Sequence, residues 1–170
     1  MRDASLSEDG YLLVIRSKTA KLFEASARLG ALLAKAPLAL EESCAEYGQA
    51  LGTAFQVIDD VLDYDGDVSE MGKNLGDDLR EGKATLPLII AMQRASEAER
   101  ATIREAIETG GTAKMAAIIE IVQKTGALVA TRNAAMAEAQ RALDALKVLP
   151  ENVYSNALRQ LASQLLERRS

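Results

Sequence analysis

The residues best suited to chemistry form one short run near the middle of the chain. This run, FQVIDDVLD, begins at Phe55 and ends at Asp63. On a helix, four polar side chains would fall within about 100° of one another: Gln56, Asp59, Asp60 and Asp63. Carboxylates at this spacing repel one another, and Mg²⁺, which prefers oxygen ligands, would relieve the repulsion. The run therefore indicates a magnesium site, with a solvated acidic helix face as the competing interpretation.

Two glycines precede the aspartates on roughly the same side of the predicted helix. Gly52 and Gly48 lie one and two turns before Gln56. Because glycine has no side chain, we expect these positions to leave open space beside the carboxylates, as a substrate cavity requires.

A calcium loop is the nearest competing metal site, and the spacing disfavours it. If Asp59 were its first position, Val61 and Tyr64 would stand where an EF-hand needs an oxygen ligand and a glycine. If Asp63 were first, Gly66 would fall at the fourth position instead of the sixth.

Basic residues suited to an anion lie on either side of the acidic run. Lys18 and Thr19 lie in the first predicted long helix, flanked by apolar turns, and Lys73 and Lys83 lie in or beside a glycine-rich loop after the aspartates. Lysine binds phosphate as a point charge. Each lysine alone would be interpreted as a surface residue, but their grouping with the aspartates indicates a diphosphate site.

Apolar periodicity predicts that most of these residues lie on helices. Residues 65–82 are predicted to form a loop, with a short turn near Gly76–Leu79. The predicted helices run at about 5–36, 38–64, from 84 with Pro87 in its first turn, 97–108, 112–125, 126–146 and 152–168.

Composition agrees with an all-α chain and removes several classes of function. Of 170 residues, 48% are hydrophobic and only 4% aromatic, which favours close-packed helices of Ala, Leu, Ile and Val. The absence of His excludes histidine catalysis, and the net charge of −5 argues against a nucleic-acid partner. The single cysteine, Cys44, fits a reducing cytoplasm. No apolar run reaches the roughly 20 residues that span a bilayer.

Four segments, taken in order, resemble the trans-type polyprenyl diphosphate synthases of the polyprenyl synthetase family. They are KTAKLF from Lys18, FQVIDDVLDY from Phe55, GKNLGDDLREGKATLPL from Gly72 and LRQLASQLLERR from Leu158. The resemblance covers essentially the whole chain, and the first and last segments are similar to those of long-chain members. It implies an all-α bundle of the isoprenoid synthase type, of which this chain would be the C-terminal portion.

The resemblance also implies a role for each candidate residue. The second aspartate-rich motif, which would hold Mg²⁺ on the allylic diphosphate, is Asp59, Asp60 and Asp63. The lysines that would contact that diphosphate are Lys18, Lys73 and Lys83. Thr19 and Gln56 would stabilise the developing allylic cation, and Phe55 would line the cavity. The implied reaction joins an allylic diphosphate to isopentenyl diphosphate, and the complete enzyme would be a dimer.

Other parts of the family pattern are absent from this sequence. The earlier aspartate-rich motif, its arginine pair and the upstream basic residues are missing, and Asp77-Asp78 lacks the apolar helical setting. We therefore expect residues 1–170 to be the C-terminal part of one prenyltransferase domain, inactive alone. We also expect exposed apolar helix faces that promote self-association. The alternatives are a non-catalytic helical subunit and a plain acidic helical domain.

Overall fold

Helices account for the secondary structure of the residues that the structure describes. A computed structural model describes residues 3–65, 76–110 and 113–167, and these contain no β-strand. The all-α prediction is confirmed. The helices are α1 Glu8–Ile15, α2 Lys21–Leu33, α3 Leu38–Leu62, α4 Asp77–Arg80, α5 Leu86–Arg94, α6 Glu97–Thr109, α7 Met115–Lys124, α8 Ala127–Ala145 and α9 Val153–Glu167. In the described ranges, no helix is both long and apolar enough to cross a bilayer.

The first predicted helix is divided by a π-helical turn. Between α1 and α2, Arg16–Ala20 forms a π-helical turn that no sequence signal indicated. The α2 helix ends at Leu33, three residues before the predicted end, because Lys35 adopts a left-handed conformation with a φ of 54°. The N–H of Ala36 then bonds the carbonyl of Ala31, a Schellman-type ending.

The described chain divides into two compact units. One comprises Met1–Tyr11 with Asp59–Arg132, and the other comprises Leu12–Ile58 with Asn133–Ser170. In the first unit, α5 is buried along seven consecutive residues, Leu86 to Met92, as expected of a helix that is apolar all round. Ile103 and Ile118, from α6 and α7, are also fully buried there.

Small side chains build the core of the second unit. One cluster joins α3, α8 and α9 through Tyr47, Ala50, Ala142, Leu146 and Ala162. A second cluster continues it with Ala54, Ala139 and Leu165. The alanines of these two clusters let helices approach closely, which agrees with the low aromatic content of the sequence.

The expectation that Gly48 and Gly52 open a cavity is wrong. A Cβ at Gly48 would lie 2.4 Å from the carbonyl oxygen of Phe23, and one at Gly52 would lie 2.7 Å from the Cα of Ala20. The backbone therefore packs directly on α3 at both glycines, from the first turn of α2 at Gly48 and from the end of the π-helical turn at Gly52. The missing side chains permit a close helix contact, so they leave no space for substrate.

Leucines are exposed along α2, within the second unit. Leu22 is 70% exposed and Leu33 is 77% exposed, and Leu29, which lies between them at helical spacing, is 54% exposed. These values agree with the expectation of apolar helix faces open to solvent.

Candidate active site

Three aspartates lie at the C-terminal end of α3, with Asp59 and Asp60 inside the helix and Asp63 one residue beyond it, and their environments differ. Asp59 is exposed, Asp60 is only 2% exposed and Asp63 is partly buried. All three belong to the first unit. Helical spacing predicts one shared face for the three carboxylates, but it does not predict that Asp60 is withdrawn from solvent.

Asp60 contacts a tyrosine that the sequence argument did not single out. The hydroxyl of Tyr11, on α1, donates a hydrogen bond to Asp60 Oδ2 at 2.6 Å. Tyr11 is 4% exposed. Burial raises the pKa of this phenol far above its usual range, and the carboxylate of Asp60 raises the pKa further. Tyr11 therefore remains a protonated donor at physiological pH.

Asp63 binds the backbone at the start of α4. The N–H of Asp78 donates to Asp63 Oδ2 at 3.3 Å, and the N–H groups of Gly76 and Asp77 also bond this carboxylate. Gly76 has a φ of 77°, a left-handed conformation that glycine adopts without strain. Burial first, and then the negative charge of Asp78, raise the pKa of Asp63 to about 6.

Lys83 lies beside these acids and neutralises part of their charge. Its Nζ is 2.7 Å from Asp78 Oδ1 and 2.8 Å from Glu81 Oε2. The hydrogen bond to Asp78, followed by the one to Glu81, raises the pKa of Lys83 above its usual range. In the first unit, then, the predicted residues Asp63 and Lys83 both contact Asp78.

A second group of predicted residues meets in the other unit. Thr19 Oγ1 donates to Gln56 Oε1 at 3.2 Å, so the π-helical turn contacts α3 through the two residues assigned to the allylic cation. The rings of Phe23 and Phe55 lie 5.8 Å apart, centre to centre, at 34°. Lys18 is exposed on the same turn. Lys73 lies outside the described residues.

The donor chemistry of the aspartates fits Mg²⁺, although the described residues contain no preassembled cluster of three or more acidic, Cys or His ligands. Carboxylate oxygens are the ligands that Mg²⁺ prefers, and it commonly takes one or two from protein and the rest from water and phosphate. An exposed Asp59 beside a buried, oriented Asp60 supplies such a partial ligand set.

Comparison with known proteins now identifies the class. The polyprenyl synthetase family model matches residues 1–125. Octaprenyl diphosphate synthase from Haemophilus influenzae is 44% identical over 99% of this chain and 51% of its own length. The all-trans-nonaprenyl-diphosphate synthase of Rhodobacter capsulatus is 46% identical over 95% of this chain and 50% of its own length. The chain belongs to the polyprenyl synthetase family, and it spans about half the length of these relatives.

Solved structures give the same result. A decaprenyl diphosphate synthase from Rhodobacter capsulatus matches with a TM-score of 0.91 and 42% identity, covering 99% of this chain and 53% of that one. A polyprenyl synthase from Caulobacter crescentus CB15, in complex with calcium and isoprenyl diphosphate, matches with a TM-score of 0.89 and 41% identity, covering 99% and 52%.

Proposed function

We propose that this chain supplies the diphosphate-ionising half of a Mg²⁺-dependent, trans-type polyprenyl diphosphate synthase. The carrying observation is the end of α3, where exposed Asp59 adjoins buried Asp60, and where Asp63 and Lys83 both contact Asp78. Family membership and the relatives named octaprenyl and nonaprenyl diphosphate synthase support long all-trans products.

In the proposed reaction, the C–O bond of an allylic diphosphate breaks and diphosphate leaves with the electron pair. The double bond of isopentenyl diphosphate then attacks the allylic carbon and a C–C bond forms. The released diphosphate accepts the proton that is lost, and the electrons of that C–H bond form the new double bond. Mg²⁺, when bound to Asp59, Asp60 and Asp63, would neutralise charge that develops on the departing diphosphate.

The basic and polar residues contribute electrostatic stabilisation in a site that excludes water. Lys18, Lys73 and Lys83 would bind the diphosphate. Thr19 and Gln56, which are hydrogen-bonded to each other, would present oxygen dipoles to the allylic cation. The ring of Phe55 packs near Phe23 and would line the prenyl cavity.

Residues 1–170 would form the C-terminal part of a single all-α prenyltransferase domain. We propose that the complete enzyme is a cytoplasmic homodimer. Its support is the exposed leucine row on α2, which a second copy could cover, and a cysteine content suited to a reducing compartment.

A non-catalytic subunit is the second candidate function. Its support is one relative, 36% identical over 93% of this chain and 49% of its own length, which is described as component 2 of a heptaprenyl diphosphate synthase. Such a chain would act through protein contacts and would retain the aspartates without using them.

Calorimetry with Mg²⁺ and inorganic diphosphate tests the first proposal. We expect binding that requires Mg²⁺ and disappears in the double variant Asp59→Ala, Asp60→Ala. The matched control, Glu42→Ala with Glu120→Ala, removes the same charge at two exposed positions and should bind normally. Helicity is checked by circular dichroism in each case. A well-folded chain that binds no diphosphate would contradict an autonomous site and favour the second candidate.

A further inference from the structure

The buried hydrogen bond between Tyr11 and Asp60 has no role in the reaction proposed above. The phenol oxygen lies 2.6 Å from Asp60 Oδ2, across 49 residues of sequence. Both side chains are nearly inaccessible, at 4% and 2% exposure. A distance this short is typical of an O–H group bonded to an ionised carboxylate.

Burying a carboxylate is costly unless hydrogen bonds compensate. The adjacent residue on α3, Asp59, is also an aspartate, and its side chain is exposed to solvent. The fold instead withdraws Asp60 and provides it with a phenol donor. A hydroxyl donates one hydrogen bond and carries no charge, so Tyr11 orients the carboxylate without contributing a positive charge to it.

We infer that Tyr11 is a positioning residue that fixes the orientation of the Asp60 carboxylate toward a divalent cation bound with diphosphate. This inference rests on the proposed function. Hydrogen-bonding partners that hold metal-ligating groups in place usually contribute about 10- to 100-fold in metal affinity. The gain comes from preorganisation, because a carboxylate that is already oriented loses less conformational freedom when the cation arrives.

Asp63 provides a useful contrast, since its donors are backbone N–H groups of 76–78. Backbone donors of this kind cannot be removed by exchanging a side chain. The donor to Asp60 belongs to a side chain, so Tyr11→Phe deletes the hydroxyl and keeps the ring. The effect of orientation can therefore be measured at Asp60.

Tyr47→Phe is the matched control. Tyr47 is also 4% exposed, and its hydroxyl donates to the carbonyl oxygen of Leu158 at 3.0 Å in the second unit. Both substitutions remove one buried phenol hydrogen bond, so both should lower the melting temperature. Only Tyr11→Phe should change cation binding.

The experiment is calorimetric titration of the full chain with Mn²⁺ or Mg²⁺ at fixed inorganic diphosphate, with melting temperatures recorded by circular dichroism. We expect Tyr11→Phe to weaken the cation affinity about tenfold or more, and Tyr47→Phe to leave it within about twofold. A 4-aminophenylalanine at position 11 restores an N–H donor and should recover most of the affinity. If Tyr11→Phe does not fold, the cation affinity of the 4-aminophenylalanine variant is compared with that of the unmodified chain instead.

The outcomes separate the two proposals. If the unmodified chain binds no cation with diphosphate, the proposed function fails and this inference fails with it. If the unmodified chain binds, and Tyr11→Phe binds equally well or loses no more affinity than Tyr47→Phe, the proposed function stands and the positioning role is overturned. Loss in Tyr11→Phe that 4-aminophenylalanine does not restore also overturns it.

Discussion

The carboxylate of Asp63 accepts the backbone N–H of Asp78 at 3.3 Å, which joins the end of α3 to the start of α4. This carboxylate is only partly solvated, and Asp78 brings a second negative charge close to it. Charge on Asp63 is thus unfavourable in the absence of a cation, even though the hydrogen bond itself is favourable.

Asp63→Asn should stabilise the chain at neutral pH. The folded-state pKa of Asp63 is raised from 3.8 to about 6, so the folded chain binds this proton more tightly than the unfolded chain does between these values. Stability therefore falls as pH rises through this window. Asparagine retains an acceptor oxygen without the charge. We expect a melting temperature about 2–4 °C higher at pH 7.5, a modest gain because solvent still reaches the group, and no gain near pH 4.

Asp144→Asn is the control of opposite sign. Hydrogen bonds from Lys147 and Gln140 lower the pKa of Asp144, so its charge stabilises the folded chain above the usual carboxyl pKa and stops doing so in acid. This variant should be slightly less stable at pH 7.5 and equal to the unmodified chain in acid. Parallel pH dependence of the two variants, followed by circular dichroism, would contradict the assignment at Asp63.

Two glycine-to-alanine substitutions should shift stability in opposite directions. At Gly48 the new methyl group would meet the carbonyl of Phe23 at 2.4 Å, and we expect a loss of about 1–3 kcal/mol from this backbone clash. At Gly30, inside α2, nothing lies within 4 Å of the new Cβ, and alanine should add about 0.5–1 kcal/mol. Urea unfolding of both variants measures the difference. Equal stability would mean that α2 and α3 do not pack closely at Gly48.

Local signals explain why so much of the fold could be predicted. Pro37 and Pro150 interrupt helical patterns in the sequence, and α3 begins at Leu38 while α9 begins at Val153. The short turn predicted near 76–79 is α4. Each of these features depends on the backbone preference of one or two residues, and such preferences act without help from the rest of the chain.

The parts of the site that escaped prediction depend on distant contacts. No residue near Asp60 in the sequence indicates a contact with Tyr11. Tyr11 is followed in α1 by aliphatic residues, and this pattern does not predict the partner of its hydroxyl. The sequence pattern disfavours Asp78, which lacks an apolar helical setting, yet its backbone N–H contacts Asp63 and its carboxylate contacts Lys83. The prediction of open space at Gly48 is wrong because a missing side chain can accommodate either a substrate or a neighbouring backbone, and the sequence does not distinguish the two.

Lys35→Gly should stabilise the ending of α2. Lys35 has a φ of 54°, a left-handed conformation that costs an ordinary residue about 1–2 kcal/mol and costs glycine very little. After the greater flexibility of glycine in the unfolded chain is included, we expect a gain of about 0.5–1 kcal/mol in the free energy of unfolding measured with urea. Lys35→Ala keeps the strain and removes the same charge, so it should show no gain. Equal gains in both variants would assign the effect to charge.

Lys83→Gln should weaken binding of inorganic diphosphate with Mg²⁺ by about tenfold, the usual value of one charge-assisted hydrogen bond. The substitution removes the positive charge of Lys83. It also removes the ion pairs of Lys83 with Asp78 and Glu81, so the negative charges of these two residues would repel an anion more strongly. Lys114→Gln is the control, because Lys114 is similarly exposed and pairs with Glu105 at 2.7 Å. Calorimetry should show a loss of affinity for Lys83→Gln alone, while unfolding by urea changes by less than about 1 kcal/mol in both. If the two variants bind diphosphate equally, Lys83 serves only to neutralise Asp78, and the diphosphate must be held by other residues.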